Sequence, residues 1–138
     1  MFAIIDRMKI SKGFTVIELV IVIVLLGIGS WLFFSEKIAV ESTKRDTQRK
    51  TAINAMYYGL EEVFYEKNNY YPNTIDSKTL RSVDPALFTD PKGNKIGNAA
   101  SSYHYTGINC STDNHCKGYK LSATMERESD YVKTNRNK

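Results

Sequence analysis

The sequence contains few of the residues that catalytic and redox sites require. Its 138 residues include only 2 cysteines and 2 histidines. The cysteines do not form a C-x-x-C pair, which excludes the common dithiol redox motif. There is also no glycine-rich phosphate loop, no nucleophile elbow and no clustered set of metal ligands. We therefore expect no enzymatic activity and no cofactor.

Charged residues are nearly absent from one long segment near the N-terminus. Between Phe14 and Phe34, Glu18 is the only charged residue, and about 20 apolar residues are enough to cross a bilayer as a helix. A secretory signal peptide would have a shorter apolar run, roughly 7–15 residues, followed by small residues at the cleavage site. Because this run ends in bulky residues such as Trp31, the sequence predicts a membrane helix over residues 14–35 that processing does not remove.

The carboxylate of Glu18 is unusual in such a segment. Near the middle of a bilayer a carboxylate costs about 2.5–3.5 kcal/mol, and nearer an end it costs less. One interpretation places Glu18 at headgroup level, where the N-terminus of the helix favours a negative charge by under about 1 kcal/mol. The other gives Glu18 a positive partner from another subunit, such as the free amine on Phe14 that a cut after Gly13 would create.

The sequence KGFTVIEL at residues 12–19, after a leader that carries Arg7 and Lys9, resembles the N-terminus of type IV prepilins and type II secretion pseudopilins. In that family a glycine precedes the cut, phenylalanine begins the mature chain and glutamate is its fifth residue. The resemblance implies that a membrane-embedded prepilin peptidase cuts between Gly13 and Phe14 and methylates the Phe14 amine. It also implies that Glu18 pairs with the Phe14 amine of a neighbouring subunit as a helical filament assembles.

One feature departs from the family pattern. Family members often carry proline near the end of the membrane segment, and the matching position here is Ser35. If the helix loosens in a filament, Gly27, Gly29 and Ser30 would supply the weakness instead, because glycine costs about 1 kcal/mol in a helix interior.

We expect an α+β fold with four parts along the chain. These are a cleaved cytoplasmic leader over 1–13, the membrane and polymerisation helix over 14–35, a head over 36–128 that begins with an amphipathic helix over 36–67, and an exposed, mobile tail over 129–138. A small antiparallel sheet should pack on the second half of the long helix. The basic leader should stay in the cytoplasm, which would place the head outside the cell.

The amphipathic helix carries an apolar stripe at helical spacing and has no glycine or proline before Tyr58. The charged residues that precede the stripe are interpreted either as a solvated helix face or as contacts to neighbouring subunits. Within them, Asp46 and Arg49 lie three residues apart and could pair. The Asn68–Pro72 segment should end the helix. The stripe consists of Ala52, Ile53, Met56, Leu60, Val63 and Phe64.

Two alternating segments, Ser102–Ile108 and Tyr119–Met125, predict paired strands, and Asp90–Asn94 predicts a tight turn before them. The two cysteines, Cys110 and Cys116, fall between the strands. An even count in an exported domain favours a disulfide.

Two kinds of metal site are alternatives to these interpretations, one at the cysteines and one near the predicted turn. A zinc site would add His104 and His115 to the two cysteines, but the spacing matches no standard zinc pattern. Some relatives bind calcium near the predicted turn, which makes Asp84, Asp90 and Asn94 calcium candidates, although they show no ordered ligand spacing.

The interpretation we favour is a structural subunit, a major pilin, of a type IV pilus-like filament that serves adhesion, twitching motility or DNA uptake. It would lie in the bacterial cell membrane before assembly and on the cell surface afterwards. Its partners would be copies of itself, the prepilin peptidase and the pilus assembly machinery. DNA is a further candidate, although a net charge of +4 indicates only a mildly basic surface. The alternatives are a pseudopilin of a secretion or competence system and a membrane-anchored binding domain that does not polymerise.

Overall fold

The computed structural model describes residues 13–136, and its contacts divide the chain into two compact units at residues 38 and 39. The first unit holds the N-terminal part of helix α1, Val16–Tyr58, and the second holds the rest of that helix and the sheet. The leader residues 1–12 and the last two residues lie outside the described part. The observed class is α+β, as the sequence predicts.

Helix α1 is continuous past Phe34, which confirms that the helix does not stop at the end of the apolar run. No glycine or proline interrupts its second half. Four of its hydroxyl side chains donate within the helix: Ser35 donates to the Leu32 carbonyl at 2.9 Å, and three threonines each donate to the carbonyl four residues earlier at 3.0 Å. These threonines are Thr43, Thr47 and Thr51.

The helical path continues beyond α1 as a π-helix, Gly59–Tyr65, and a final turn, α2, Glu66–Asn68. A π-helix bonds each residue to the fifth one along, so it turns more slowly than an α-helix and rotates the faces that follow. The path ends at Asn69, which adopts a left-handed conformation with a φ of 59°. The prediction that this segment ends the helix is confirmed.

The apolar stripe is only partly as predicted. Ala52, Ile53, Met56 and Leu60 are buried, but Val63 is 49% exposed and Glu61 is only 5% exposed. The prediction of Val63 as a core residue is wrong because the π-helix changes which side chains face the sheet.

The sheet has four antiparallel strands, and the third of them is central. β3, His115–Ala123, pairs with β2, Tyr103–Cys110, along most of its length. It also pairs with the short β1, Tyr71–Pro72, near its start and with β4, Tyr131–Thr134, near its end. The two predicted strands are confirmed, although β3 begins four residues earlier than expected and β2 extends to its cysteine.

The predicted mobile tail is wrong over Tyr131–Thr134, which forms β4. The strand pairs Tyr131 with Ala123 and Thr134 with Lys120. Four residues are too few to show a periodicity in sequence, and this strand forms because β3 offers an edge for it.

The core lies between the sheet and the second half of the helical path, within the second unit. Alternate residues of β3, among them Tyr119, Leu121 and Ala123, are fully buried against the helix stripe. A 3₁₀ turn, Pro85–Phe88, adds Phe88 to this core.

Candidate functional site

The start of α1 is built by a reciprocal pair of hydrogen bonds between Thr15 and Glu18. The Thr15 backbone N–H donates to Glu18 Oε2 at 3.0 Å, and the Glu18 N–H donates to Thr15 Oγ1 at 3.3 Å. The Thr15 hydroxyl also donates to the same carboxylate at 3.1 Å. This is a capping box, which satisfies backbone donors that have no partner within the helix. Its T-x-x-E signature is in the sequence, and our sequence reasoning missed it.

Gly13 and Phe14 precede the helix and have no regular secondary structure. Phe14 is 79% exposed. The peptide bond between them therefore lies in a non-helical, exposed stretch directly before the capping box.

The apolar side chains that follow the capping box are exposed. Every large apolar side chain from Phe14 to Phe34 is exposed, from 42% at Val22 to 80% at Val16. By length and composition, one helix among residues 13–136 could cross a membrane, and it begins at Val16. Such a continuous apolar surface requires a lipid or protein environment.

Comparisons with known proteins agree with this geometry. A family model described as the prokaryotic N-terminal methylation motif matches residues 8–34, which include the leader end, the capping box and the apolar run. The chain is also similar to the type IV major pilin protein PilA of Myxococcus xanthus strain DK1622, with 28% identity over 94 residues. The chain is therefore similar to type IV pilins, most specifically in its N-terminal motif. The matched stretch covers 67% of this chain and 38% of that relative, and no solved structure matches.

The exposed apolar surface of α1 suits a lipid environment or a protein partner. Helix α1 is unbroken at Gly27, Gly29 and Ser35.

The predicted disulfide is present between Cys110 and Cys116, which face each other across β2 and β3. Gly107 lies beneath it. A Cβ atom at this glycine would come within 2.5 Å of Cys116 Sγ and 2.7 Å of Cys110 Sγ. Because both cysteines are bonded to each other, the zinc interpretation is wrong. Among residues 13–136, no group of three or more His, Cys, Asp or Glu side chains could hold a metal.

The calcium candidates have structural roles in the part of the chain that the structure describes. Asp90 is buried, and its carboxylate accepts bonds of 2.8–3.0 Å from Lys92, Asn94 and Ser102. Burial raises the pKa of Asp90, but these donors outweigh it and the pKa lies below its ordinary value. Asp84 caps the 3₁₀ turn. The sequence predicts no metal site and names these residues only as weak calcium candidates, and they stay candidates.

A buried ionic cluster joins α1 to the segment after β3. Arg49 Nη1 donates to Asp46 Oδ1 at 2.7 Å, and the two side chains are 1% and 3% exposed. Arg49 Nη2 also donates to Glu126 at 2.8 Å. Asp46 in turn accepts the backbone N–H groups of Glu126 and Arg127, each at 2.9 Å. The predicted pairing is confirmed, but the interpretation of a solvated face is wrong for Asp46 and Arg49.

The charges in this cluster shift the pKa values of its two acids. Burial raises the pKa of Asp46, but the backbone donors and Arg49 lower it by more than burial raises it. The pKa therefore lies below its ordinary value. Arg45 donates to both oxygens of Glu126 at 2.6 and 2.9 Å, and together with Arg49 it holds the pKa of Glu126 well below its usual range. Sequence gave no signal for Glu126, which is about 80 residues from its partners.

Glu61 is a second buried acid that sequence reasoning missed, because it interrupts the apolar stripe. It accepts hydrogen bonds from the Tyr119 hydroxyl at 2.8 Å, the Tyr71 hydroxyl at 3.1 Å and the Arg136 backbone N–H at 3.3 Å. Burial and the bond to Glu61 raise the pKa of Tyr119 far above its ordinary value. Glu61 therefore ties the π-helix to the sheet and to the C-terminal segment.

Proposed function

We propose that this protein is a structural subunit, a major pilin, of a type IV pilus-like filament and has no enzymatic activity. The observation that carries the proposal is the exposed apolar helix that begins at Val16, three residues after Gly13. Between Phe14 and Phe34 it contains one acid, Glu18, at its first turn. Subunits that bundle these helices would bury side chains that have no partner in the single chain, at roughly 25 cal/mol per Å² of apolar surface.

The proposed order of events begins in the membrane. The basic leader keeps the N-terminus cytoplasmic and the head outside, a prepilin peptidase cuts between Gly13 and Phe14, and Phe14 is methylated. Glu18 then pairs with the Phe14 amine of a neighbour and sets the axial register. The pilus assembly machinery extracts the subunits into a surface filament that serves adhesion, twitching motility or DNA uptake.

The two roles of Glu18 can be tested separately. Its carboxylate caps the helix by accepting hydrogen bonds from Thr15, and its negative charge is the group proposed to pair with a neighbouring subunit. Glu18→Gln keeps a residue that suits the third helical position of a capping box but removes the charge. Thr15→Val removes the hydroxyl of the cap and keeps the charge. If the charge drives assembly, Glu18→Gln should be processed and inserted but yield no sheared filaments, whereas Thr15→Val should still assemble.

Mass spectrometry of sheared surface material provides the second measurement. We expect a chain that begins at Phe14 and is one methyl group heavier than the unmodified chain. Equal filament yield from Glu18→Gln and wild type would contradict the proposed role of the charge. A chain recovered with Gly13 and the leader attached, and only as monomers, would contradict the filament proposal as a whole.

Two alternatives predict different outcomes. A pseudopilin of a secretion or competence system would be processed in the same way but would yield little sheared surface material. A membrane-anchored binding domain that does not polymerise should be unaffected by Glu18→Gln.

A further inference from the structure

Two neighbouring cavities lie in the head, beside the end of the helical path. The first has a volume of about 240 Å³ and the second about 380 Å³. Both are lined by Phe64 and Thr79, so they adjoin, and together we call them the cleft, with one cavity at each end. The volume of the second cavity alone lies within the range of small-molecule sites, roughly 300–1,000 Å³.

The first end of this cleft is cationic. Its lining includes Lys67, Lys78 and Arg81, which are all exposed. In the part of the chain that the structure describes, none of the three forms an ion pair. The buried cluster and the surface bridge from Lys50 to Glu128 show that other cations of this head do find carboxylates. No acid lines this opening, and Asp76, the neighbouring acid that interacts with Lys78, offsets only part of the positive charge. The excess of positive charge favours an anionic ligand.

The second end is polar and aromatic, with groups of both hydrogen-bonding types. Tyr70 stacks on His115 with ring centroids 3.6 Å apart, and Asn73 Nδ2 donates to Asn114 Oδ1 at 3.3 Å. These contacts hold the wall in place. Amide and hydroxyl side chains both donate and accept, which suits a ligand rich in hydroxyl groups.

We propose that this cleft binds an acidic oligosaccharide, with its carboxylate or sulfate group at Lys67, Lys78 and Arg81 and its hydroxyl groups at the polar end. A single-stranded nucleic acid fits less well. It needs positive charge along its whole track, whereas the cations here are confined to one end and Asp113 places a carboxylate at the other. The proposal goes beyond the filament role and does not depend on polymerisation.

The test uses the full chain in detergent micelles and isothermal titration calorimetry. The probes are an oligogalacturonate hexamer, a heparin-derived hexasaccharide, a neutral cello-oligosaccharide of the same length and a dT hexanucleotide. We expect at least one of the two acidic saccharides to bind about tenfold more tightly than the neutral saccharide and the nucleotide. Which one binds distinguishes a carboxylate from a sulfate ligand.

Substitutions of residues that line the cleft test where the ligand binds. The double variant Lys78→Ala/Arg81→Ala should lose about tenfold in affinity, since each removes a charge-assisted contact. The matched control Lys117→Ala/Lys120→Ala removes two exposed charges on β3 and should stay within about twofold. Thr74→Val removes one hydroxyl from the polar end without changing its size and should cost about fivefold.

Three results would overturn the proposal. They are the absence of saturable binding by either acidic saccharide, equally tight binding of the nucleotide, and an equal loss in the β3 control. Filament assembly can be scored separately by shearing. A failed titration with intact assembly would therefore reject the cleft and leave the filament proposal standing.

Discussion

The buried ionic cluster provides the sharpest test of the energetics of this fold. Replacing Asp46 by asparagine keeps the size of the side chain but removes its charge. The amide oxygen at the Oδ1 position can still accept from Arg49 and from the Glu126 N–H, but the amide nitrogen then meets the Arg127 N–H, which loses its acceptor. A donor would face a donor in a site where Asp46 is only 2% exposed.

The expected cost follows from this burial. Removing one partner of a buried ion pair typically costs about 3–5 kcal/mol because the other charge is left uncompensated. Here Arg49 keeps a bond to Glu126, whose side chain is 23% exposed, so we expect the lower end, about 3 kcal/mol. For a head of this size that corresponds to a fall in Tm on the order of 10–20 °C.

A matched control is available on the surface. Glu128→Gln makes the same chemical change and breaks an ion pair of the same length, 2.7 Å to Lys50. These two side chains are 48% and 37% exposed, and pairs in such positions contribute about 0–1 kcal/mol. Burial is therefore the main difference between the two substitutions.

The assay is urea and thermal unfolding of the full chain in mild detergent, followed by near-UV circular dichroism of the head tyrosines.

The pH dependence of the free energy of unfolding supplies a second check. Since the pKa of Asp46 is lower in the folded state than its ordinary value of 3.8, its contribution to stability is fully present above that value and is lost as the pH falls through the folded pKa. The difference between wild type and Asp46→Asn should be constant from about pH 7 to pH 5 and shrink below about pH 4. Equal losses from Asp46→Asn and Glu128→Gln at pH 7 would refute this reasoning.

Two further substitutions test other parts of the head. Gly107→Ala should prevent closure of the disulfide, because its Cβ would overlap both Cys116 Sγ and Cys110 Sγ. Maleimide labelling should then find two free thiols, and a fully oxidised variant would count against the close approach. Glu61→Gln should destabilise the head by about 1–2 kcal/mol, because the carboxylate that accepts from two tyrosine hydroxyls is lost. Urea unfolding measures the loss, and equal stability of this variant and wild type would count against the role of Glu61 in holding the sheet.

Local sequence was sufficient for the features that depend on neighbouring residues. The KGFTVIEL motif, the apolar run, the helix end at Asn69 and the pairing of Cys110 with Cys116 all follow from short stretches of chain. The helix continues past Phe34 because nothing in the next residues breaks it. The capping box is also a local feature, since its T-x-x-E signature lies within Thr15 to Glu18.

The tertiary structure decided the features that depend on residues far apart in sequence. Arg49 is buried because Glu126 and Ser102 reach it from the sheet side. Glu61 faces inward because the π-helix rotates its turn toward two tyrosine hydroxyls, and a stripe counted at 3.6 residues per turn cannot anticipate that. β4 forms because β3 presents unpaired backbone groups. A buried charge or a four-residue strand is stable only when its partners are already in place, and sequence periodicity carries no information about them.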